Sequence, residues 1–418
     1  MRKSSSSSLT RSLWRAQRLV VRALLLAVLL VVLTPPSFPL ALQPPDIGSG
    51  AFLAEHSHAY LVDNMDFEWV VWTLEWKLAE PSEGNYDWFG LDQLLTDAEN
   101  LGLQVVLRVT SAPDWARGSP EQAAPPDDMN DLGNFMYTLA SRAQGKVAGY
   151  VIWNEPNLPI YWGGDPSPAQ YVHMLSVVYP QIKAGDSNAA VVTAGMATTG
   201  GAGGAACGIG ASMAAEEIGP YTQQLYAAGA MNDLDFICGI YRQGGKSHFD
   251  VLGSHPYGFA YEPERDPSSV NGLAFRRVEQ QRAVMESEED GDKEIWALES
   301  GWILDPGLSC RTWGDWPTRT WQIVSEHTQA DYLVRAFRYA GDHWPWMGMM
   351  SLFNMDFAAM YWYDYCHPVR WYSISYRENH LDPGNSPIVY REGYYALRIM
   401  QMDLDPRAYL PLVLRNPS

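Results

Sequence analysis

Apolar and polar positions change period in blocks along this chain. From about Asp46 onward, short apolar runs rich in β-branched and aromatic residues are followed by longer runs with apolar positions near every 3.6 residues. The short runs predict strands at Gly50–Glu55, Trp69–Leu74, Gln104–Val109, Val147–Trp153, Ala189–Ala194, Phe249–Ser254, Glu294–Leu298 and Met347–Phe353. WVVWTL and QVVLRV are apolar at successive positions, as strands covered on both faces are. Between them, one predicted helix places Leu91, Leu94, Leu95, Ala98 and Leu101 on a single face, and a second covers Asp128–Arg142. A third stacks Tyr171, Met174, Leu175 and Val178 and is kinked or ended by Pro180. Further helices are expected at Tyr221–Ala228, Ala274–Ser287, Gln329–Gly341 and Glu392–Met400, and the Gly/Ala-rich stretch to about Ala215 reads as a long loop.

Eight β-type runs, each followed by a helix or loop, predict an α/β fold: one (β/α)8 TIM barrel, a single catalytic domain over 43–403, with 404–418 as a C-terminal tail. A doubly wound open sheet would alternate in the same way. Its phosphate loop is missing, since neither GxGxxG nor GxxxxGK[ST] opens a helix after a strand.

Charge narrows the partners. The net charge is −19, yet residues 1–42 contain six basic residues (Arg2, Lys3, Arg11, Arg15, Arg18 and Arg22) and no acidic one, so the remainder is more acidic still. Such a surface repels phosphate backbones and anionic lipids, which excludes nucleic acid as a partner and favours neutral substrates. The basic start is followed by the apolar run Ala23–Leu33, too short to span a bilayer and suited to a signal peptide. Ala41 is a candidate cleavage point, with Pro39 poorly placed before it, so 1–42 is either a signal peptide or an uncleaved N-terminal membrane anchor, the one expected membrane contact. The rest is expected outside the cell or at its surface. Cys207, Cys238, Cys310 and Cys366 all fall in that exported part, where disulfides form. Three pairings are open; the local one, Cys207–Cys238 with Cys310–Cys366, is preferred. Their spacing matches no zinc motif.

In a (β/α)8 barrel, catalytic groups sit at the C-terminal ends of strands. Strand four ends in Trp153-Asn154-Glu155-Pro156-Asn157, strand six in His255-Pro256-Tyr257, and strand seven in Glu299-Ser300-Gly301-Trp302. Two carboxylates on one rim are what glycoside hydrolysis requires, one to protonate the leaving oxygen and the other to attack the anomeric carbon. Two such groups at about 5 Å do not both ionise easily, so one serves as the acid. A separation of about 5–5.5 Å implies retention of configuration, and about 6.5 Å or more implies inversion. No cofactor is expected. His56-x-His58 lacks a third ligand at metal spacing, so no metal is expected either, and His56 becomes a sugar contact at the end of strand one.

WNEPN followed by ESGW resembles glycoside hydrolase clan A, the retaining TIM-barrel glycosidases, over nearly the whole exported chain in element order. The resemblance implies Glu155 as general acid/base, Glu299 as nucleophile and Asn154 as donor to the sugar 2-hydroxyl. It implies Tyr257 as hydrogen-bond partner of the nucleophile, and His255 and Trp302 as sugar-facing. LRVTSAPDWAR is similar to bacterial members near family 39, the β-xylosidase and iduronidase group, which makes Arg108 a candidate to orient the nucleophile. Two features depart from the clan. Val71 stands where relatives carry a basic residue in F-x-W-V-K, and strand eight ends in Phe353-Asn354-Met355-Asp356 where many have Trp. Aromatic clusters in predicted rim loops (Tyr161-Trp162, Trp313, Trp316, Tyr361-Trp362-Tyr363) suit stacking on sugar faces.

The leading expectation is a retaining hydrolase of O-glycosidic bonds in a β-linked glycan or glycoside. The alternative is a non-catalytic carbohydrate-binding or cell-surface protein on a degenerate barrel. A metal-dependent deacetylase is disfavoured by the absence of a His/Asp cluster.

Overall fold

The computed structural model describes residues 47–118, 124–209, 220–379 and 386–402. The predicted targeting segment, the 404–418 tail and part of the Gly/Ala-rich stretch lie outside the described residues.

Eight parallel staves follow one another around a barrel: β1 Gly48–Leu53, β2 Trp69–Glu75, β3 Gln104–Thr110, β4 Gly149–Ile152, β5, β6 Leu252–His255, β7 Ile295–Ser300 and β8 Met347–Leu352. Stave β5 is interrupted, running Ala190–Thr193 and resuming at Met196–Ala197. Its first part pairs with β4 and its second with β6, while β8 pairs with β1, so the sheet curls round on itself. The seam between β5 and β6 is tight. Thr193 donates its amide to Val251 O at 3.1 Å, and a Cβ on Gly253 would sit 2.1 Å from Thr193 O, so only glycine fits there.

Each strand divides its side chains between two cores. Phe52, Val71, Val106, Val151, Val192, Trp296 and Met349 point inward and form one apolar cluster that fills the lumen. Ala51, Val70, Val105, Tyr150, Val191, Ala297 and Met350 alternate with them and belong to the outer core. Both faces are covered, which explains the unbroken apolar runs. The first departure from the clan pattern follows: Val71 is fully buried among lumen side chains, where a lysine head group would lack a partner.

The outer ring is α1 Ala59–Asp63, α2 Phe89–Leu101, α3 Met129–Arg142, α4 Pro168–Gly185, α5 Asp233–Arg242, α6 Arg277–Ser287, α7 Glu326–His343 and α8 Glu392–Gln401. Several start at side-chain caps. Asp128, Ser167, Asn232 and Ser325 each accept from a backbone amide in the first turn. Helix α4 runs through Pro180 to Gly185; Pro180 lies on the exposed side, where the forfeited hydrogen bond faces water. The sequence reading missed α5 and placed the only helix after strand five at Tyr221–Ala228. That short helix exists as Pro220–Ala227, but the element that packs outside the barrel is α5, through Leu234, Phe236, Ile237 and Ile240.

Cys207 is bonded to Cys238 and Cys310 to Cys366, with Cα atoms 5.9 and 5.1 Å apart. Both bonds are compatible with export to an oxidising compartment. The second ties the β7–α7 loop to the β8–α8 loop. Among the described residues, no helix is long and apolar enough to cross a membrane.

Candidate active site

At the C-terminal ends of the staves the apolar lumen gives way to a cleft of about 1240 Å³. Glu155 and Glu299 both line it, so the sequence-predicted pair does meet at one mouth. A carboxylate oxygen of each, together with a ring nitrogen of His255, lie within 4.8 Å of one another.

Local backbone irregularity aims both groups. Trp153 and Glu155 have φ of 76° and 39°, in the left-handed region that side chains other than glycine avoid. The fully buried Trp153 ring fixes this reversal by donating to Tyr161 O at 2.8 Å. On β7, Trp296 and Leu298 face the lumen, so strict alternation would send Glu299 outward. A register shift against β8 between Ala297 and Ser300 breaks the alternation and lets Glu299 point into the mouth as well.

Glu299 is buried, and each of its oxygens has a partner. Arg108 Nη1 pairs with Oε1, and the Tyr257 hydroxyl donates to Oε2 at 2.5 Å. Arg108 is itself oriented by Thr73 Oγ1 at 3.1 Å and Asn154 Oδ1 at 2.7 Å, and its guanidinium lies 4.5 Å from the Phe52 ring centre. With Oδ1 engaged, Asn154 has its amide NH2 left to donate. Burial alone would raise the Glu299 pKa. The His255 charge, the Arg108 charge and the Tyr257 and Arg108 hydrogen bonds outweigh burial and hold it below the ordinary carboxylate value. Tyr257 shifts the opposite way, well above a free phenol, through burial and the adjacent Glu299 charge, and so remains a donor.

His255 differs from its expected role. It has no exposed surface and cannot face a sugar. It sits over Gly195, where a Cβ would come within 2.1 Å of its ring, and its Nδ1 lies 2.9 Å from Glu155 Oε1 and 3.8 Å from Glu299 Oε2. Trp302 is also corrected. It is fully buried in the outer core, its indole donates to Tyr261 O at 2.8 Å, and it does not line the cleft. The strand-end register turns it away from the mouth that Glu299 enters.

His56 lines the cleft edge-on to Trp72 and Phe89, whereas His58 turns to Asp356, 2.7 Å away. The two histidines therefore serve different places. Glu155, His255 and Glu299 converge closely enough to ligate a cation. Both Glu299 oxygens are already engaged, however, and the Arg108 guanidinium would repel the ion.

The strand-eight departure has a structural explanation. Asp356 is fully buried and accepts from Ala54 N at 2.7 Å and Glu55 N at 3.2 Å, fastening the loop after β1. Phe353 supplies the aromatic surface, edge-on to Phe52 and Tyr257. The aromatic clusters split: Tyr161, Trp313, Trp362 and Tyr363 line the cleft, while Trp162 and Trp316 are buried. Sequence reasoning missed Tyr221, Arg319, Gln322 and Tyr372, all of which line it. Arg319, Gln322 and Tyr372 come from long connections whose paths have no periodic signal, and Tyr221 sits on the short Pro220–Ala227 helix, whose place over the mouth no periodicity reports.

This fold is that of the TIM-barrel glycosidases. Residues 56–130 match the glycoside hydrolase 42 family, described as beta-galactosidase. A family 39 glycoside hydrolase from Bacteroides cellulosilyticus is similar at 18% identity and a TM-score of 0.59, covering 85% of this chain and 63% of that one. A family 5 enzyme from Streptomyces cattleya, solved with a mannosyl-N-acetylglucosamine disaccharide, is similar at 11% identity and a TM-score of 0.56, covering 84% and 79%. The family 1 β-glucosidase of Exiguobacterium antarcticum is similar at 11% and 0.55, covering 86% and 98%. The chain thus spans less than two thirds of the family 39 structure, and no curated protein matches it.

Proposed function

We propose that this protein is a retaining glycoside hydrolase that cleaves a β-linked glycan or glycoside by double displacement. The observation that carries this is the mouth itself: Glu155, His255 and Glu299 within 4.8 Å, with both Glu299 oxygens held by donors. That spacing suits direct attack and leaves no room for a water between the carboxyl groups, as inversion would need.

In the first step Glu299 attacks the anomeric carbon and forms a glycosyl ester. The glycosidic C–O bond breaks, and Glu155 transfers its proton to the departing oxygen. In the second step Glu155 takes a proton from water, the water oxygen attacks the same carbon, the ester breaks, and Glu299 leaves as a carboxylate. Arg108 and Tyr257 hold the nucleophile, His255 positions Glu155, and Asn154 offers its amide to the sugar 2-hydroxyl. The local sequence match and the shared fold support this reading over a degenerate binding protein. Residues 1–42 fit an export signal or anchor in the same reading, and the two disulfides suit the destination.

The test is trapping with activated 2-fluoroglycosides. The sugar that labels the chain identifies the glycone, and the labelled peptide should contain Glu299. A label on any other residue refutes the role assignment.

A further inference from the structure

The β7–α7 side of the cleft carries polar groups that the proposed cycle does not use. Gln322 is 1% exposed and lines the cleft, yet neither Nε2 nor Oε1 of its amide has a hydrogen-bond partner. Burying both ends of an amide unpaired is costly, and such a group implies a partner that it is built to meet. Its turn is fixed from behind, since the neighbouring Trp321 stacks on Phe259 with the rings 9° from parallel. One turn earlier, Arg319 Nε donates to Asp315 Oδ2 at 2.5 Å, and both residues line the same cleft. The Arg319 charge is close enough to act on the Tyr372 hydroxyl. Tyr372, another lining residue, packs 5.2 Å from the Tyr257 ring, whose hydroxyl holds Glu299.

We infer that Asp315, Arg319 and Gln322 form the glycone-recognition wall and take the ring hydroxyls of a neutral sugar. A hydroxyl both donates and accepts, and so does an amide; the carboxylate–guanidinium pair offers the same combination to a second hydroxyl. Charge disfavours a uronic acid. Arg319 is offset by Asp315, Arg108 by Glu299, and Lys77 by Glu75 at 2.9 Å, so each of these three cleft cations already has its anion. Placing the sugar here rests on the glycosidase reading, but the test does not require turnover.

Binding of para-nitrophenyl thio-β-glucoside, thio-β-galactoside, thio-β-xyloside and thio-β-glucuronide to the full chain would be measured by titration calorimetry. A neutral thioglycoside should bind, and the thioglucuronide should bind at least about tenfold more weakly. Gln322→Leu should weaken the neutral ligand about tenfold, and the loss should vanish for the analogue deoxygenated at the hydroxyl the amide meets. Asp315→Asn, at a part-exposed position, should weaken the neutral ligand but tighten the glucuronide by releasing Arg319, a pair of opposite changes that a folding defect does not produce. No binding by any of the four, preference for the glucuronide in the parent chain, or equal weakening of every ligand in both variants would overturn the inference. Binding without hydrolysis of the matching O-glycosides would sink the glycosidase reading and leave this one standing. Hydrolysis with unchanged sugar preference in both variants would do the reverse.

Discussion

The base of the barrel and its mouth are made by the same strands, one or two pleats apart. On β3 the step is from Val106 to Arg108, on β2 from Val71 to Thr73, and on β7 from Leu298 to Glu299. At the base the inward side chains serve mainly to fill volume, and the Trp296 indole among them donates to Glu294 Oε2 at 3.0 Å. At the mouth the polar groups around the nucleophile have particular partners: Arg108 reaches Thr73, Asn154 and Glu299, and Glu299 reaches Arg108 and Tyr257. Substitutions at the base should therefore register in stability, and those at the mouth in rate.

The largest effect is expected at the mouth. Glu299→Ala should lower kcat/KM on nitrophenyl glycosides by about 10⁵-fold, with partial rescue by azide entering the vacated space. A loss below tenfold would mean that another group attacks. Glu155→Ala should be more selective. With an alkyl leaving group, which needs a proton, the loss should be about 10³-fold. With dinitrophenolate, which leaves unaided, the bond-breaking step should be nearly unaffected. Equal losses on both substrates would remove Glu155 from the proton-transfer role.

The base offers the converse test. Val71→Lys restores the residue type that the clan pattern carries, but here it places an ammonium among Phe52, Val106 and Val151. An unpaired buried charge should destabilise the fold by about 3–5 kcal/mol, read as a lower Tm. An unchanged Tm combined with altered sugar preference would show that position 71 reaches the substrate, and the division between base and mouth would be misplaced.

The two regions were also unequally legible. The base was readable because apolar runs at strand length report burial on both faces, and all eight strands fall within a few residues of their expected positions. The convergence of the two carboxylates was readable because strand ends and residue order place Asn154-Glu155 and Glu299 on one rim. Trp302 and His255 were misread in orientation. Which way a side chain turns beyond a strand end depends on a one-residue register shift and on a close approach over Gly195, and neither leaves a trace in periodicity. Arg319 and Gln322 were not seen at all. Their loop is held by the Cys310–Cys366 bond and by ring stacking on Phe259, contacts distant in sequence. Helix α5 was missed because the preceding Gly/Ala-rich stretch obscured where helical periodicity resumes.

The smallest expected effect is the sharpest test of how the mouth is wired. Tyr257→Phe removes one hydrogen bond to Glu299 Oε2 and leaves the Arg108 pair in place. On the pH plateau kcat/KM should fall only about tenfold, the worth of one charge-assisted bond. The pH profile should change more tellingly. The nucleophile must be anionic, and in the parent chain His255, Arg108 and Tyr257 together overcome burial and keep it ionised below the ordinary carboxylate range. Activity should therefore persist on the acid side and fall as pH drops through that lowered pKa. Without the phenol donor, burial has less to oppose it, the Glu299 pKa rises, and the acid limb moves to higher pH. Linkage gives stability the same sign: the depressed pKa stabilises the fold above the unfolded-state carboxylate value, that contribution is lost as pH falls through the folded value, and the variant has less of it to lose. An acid limb that stays in place would mean that Arg108 and His255 alone set the charge of Glu299, leaving Tyr257 to orient the carboxylate without tuning it.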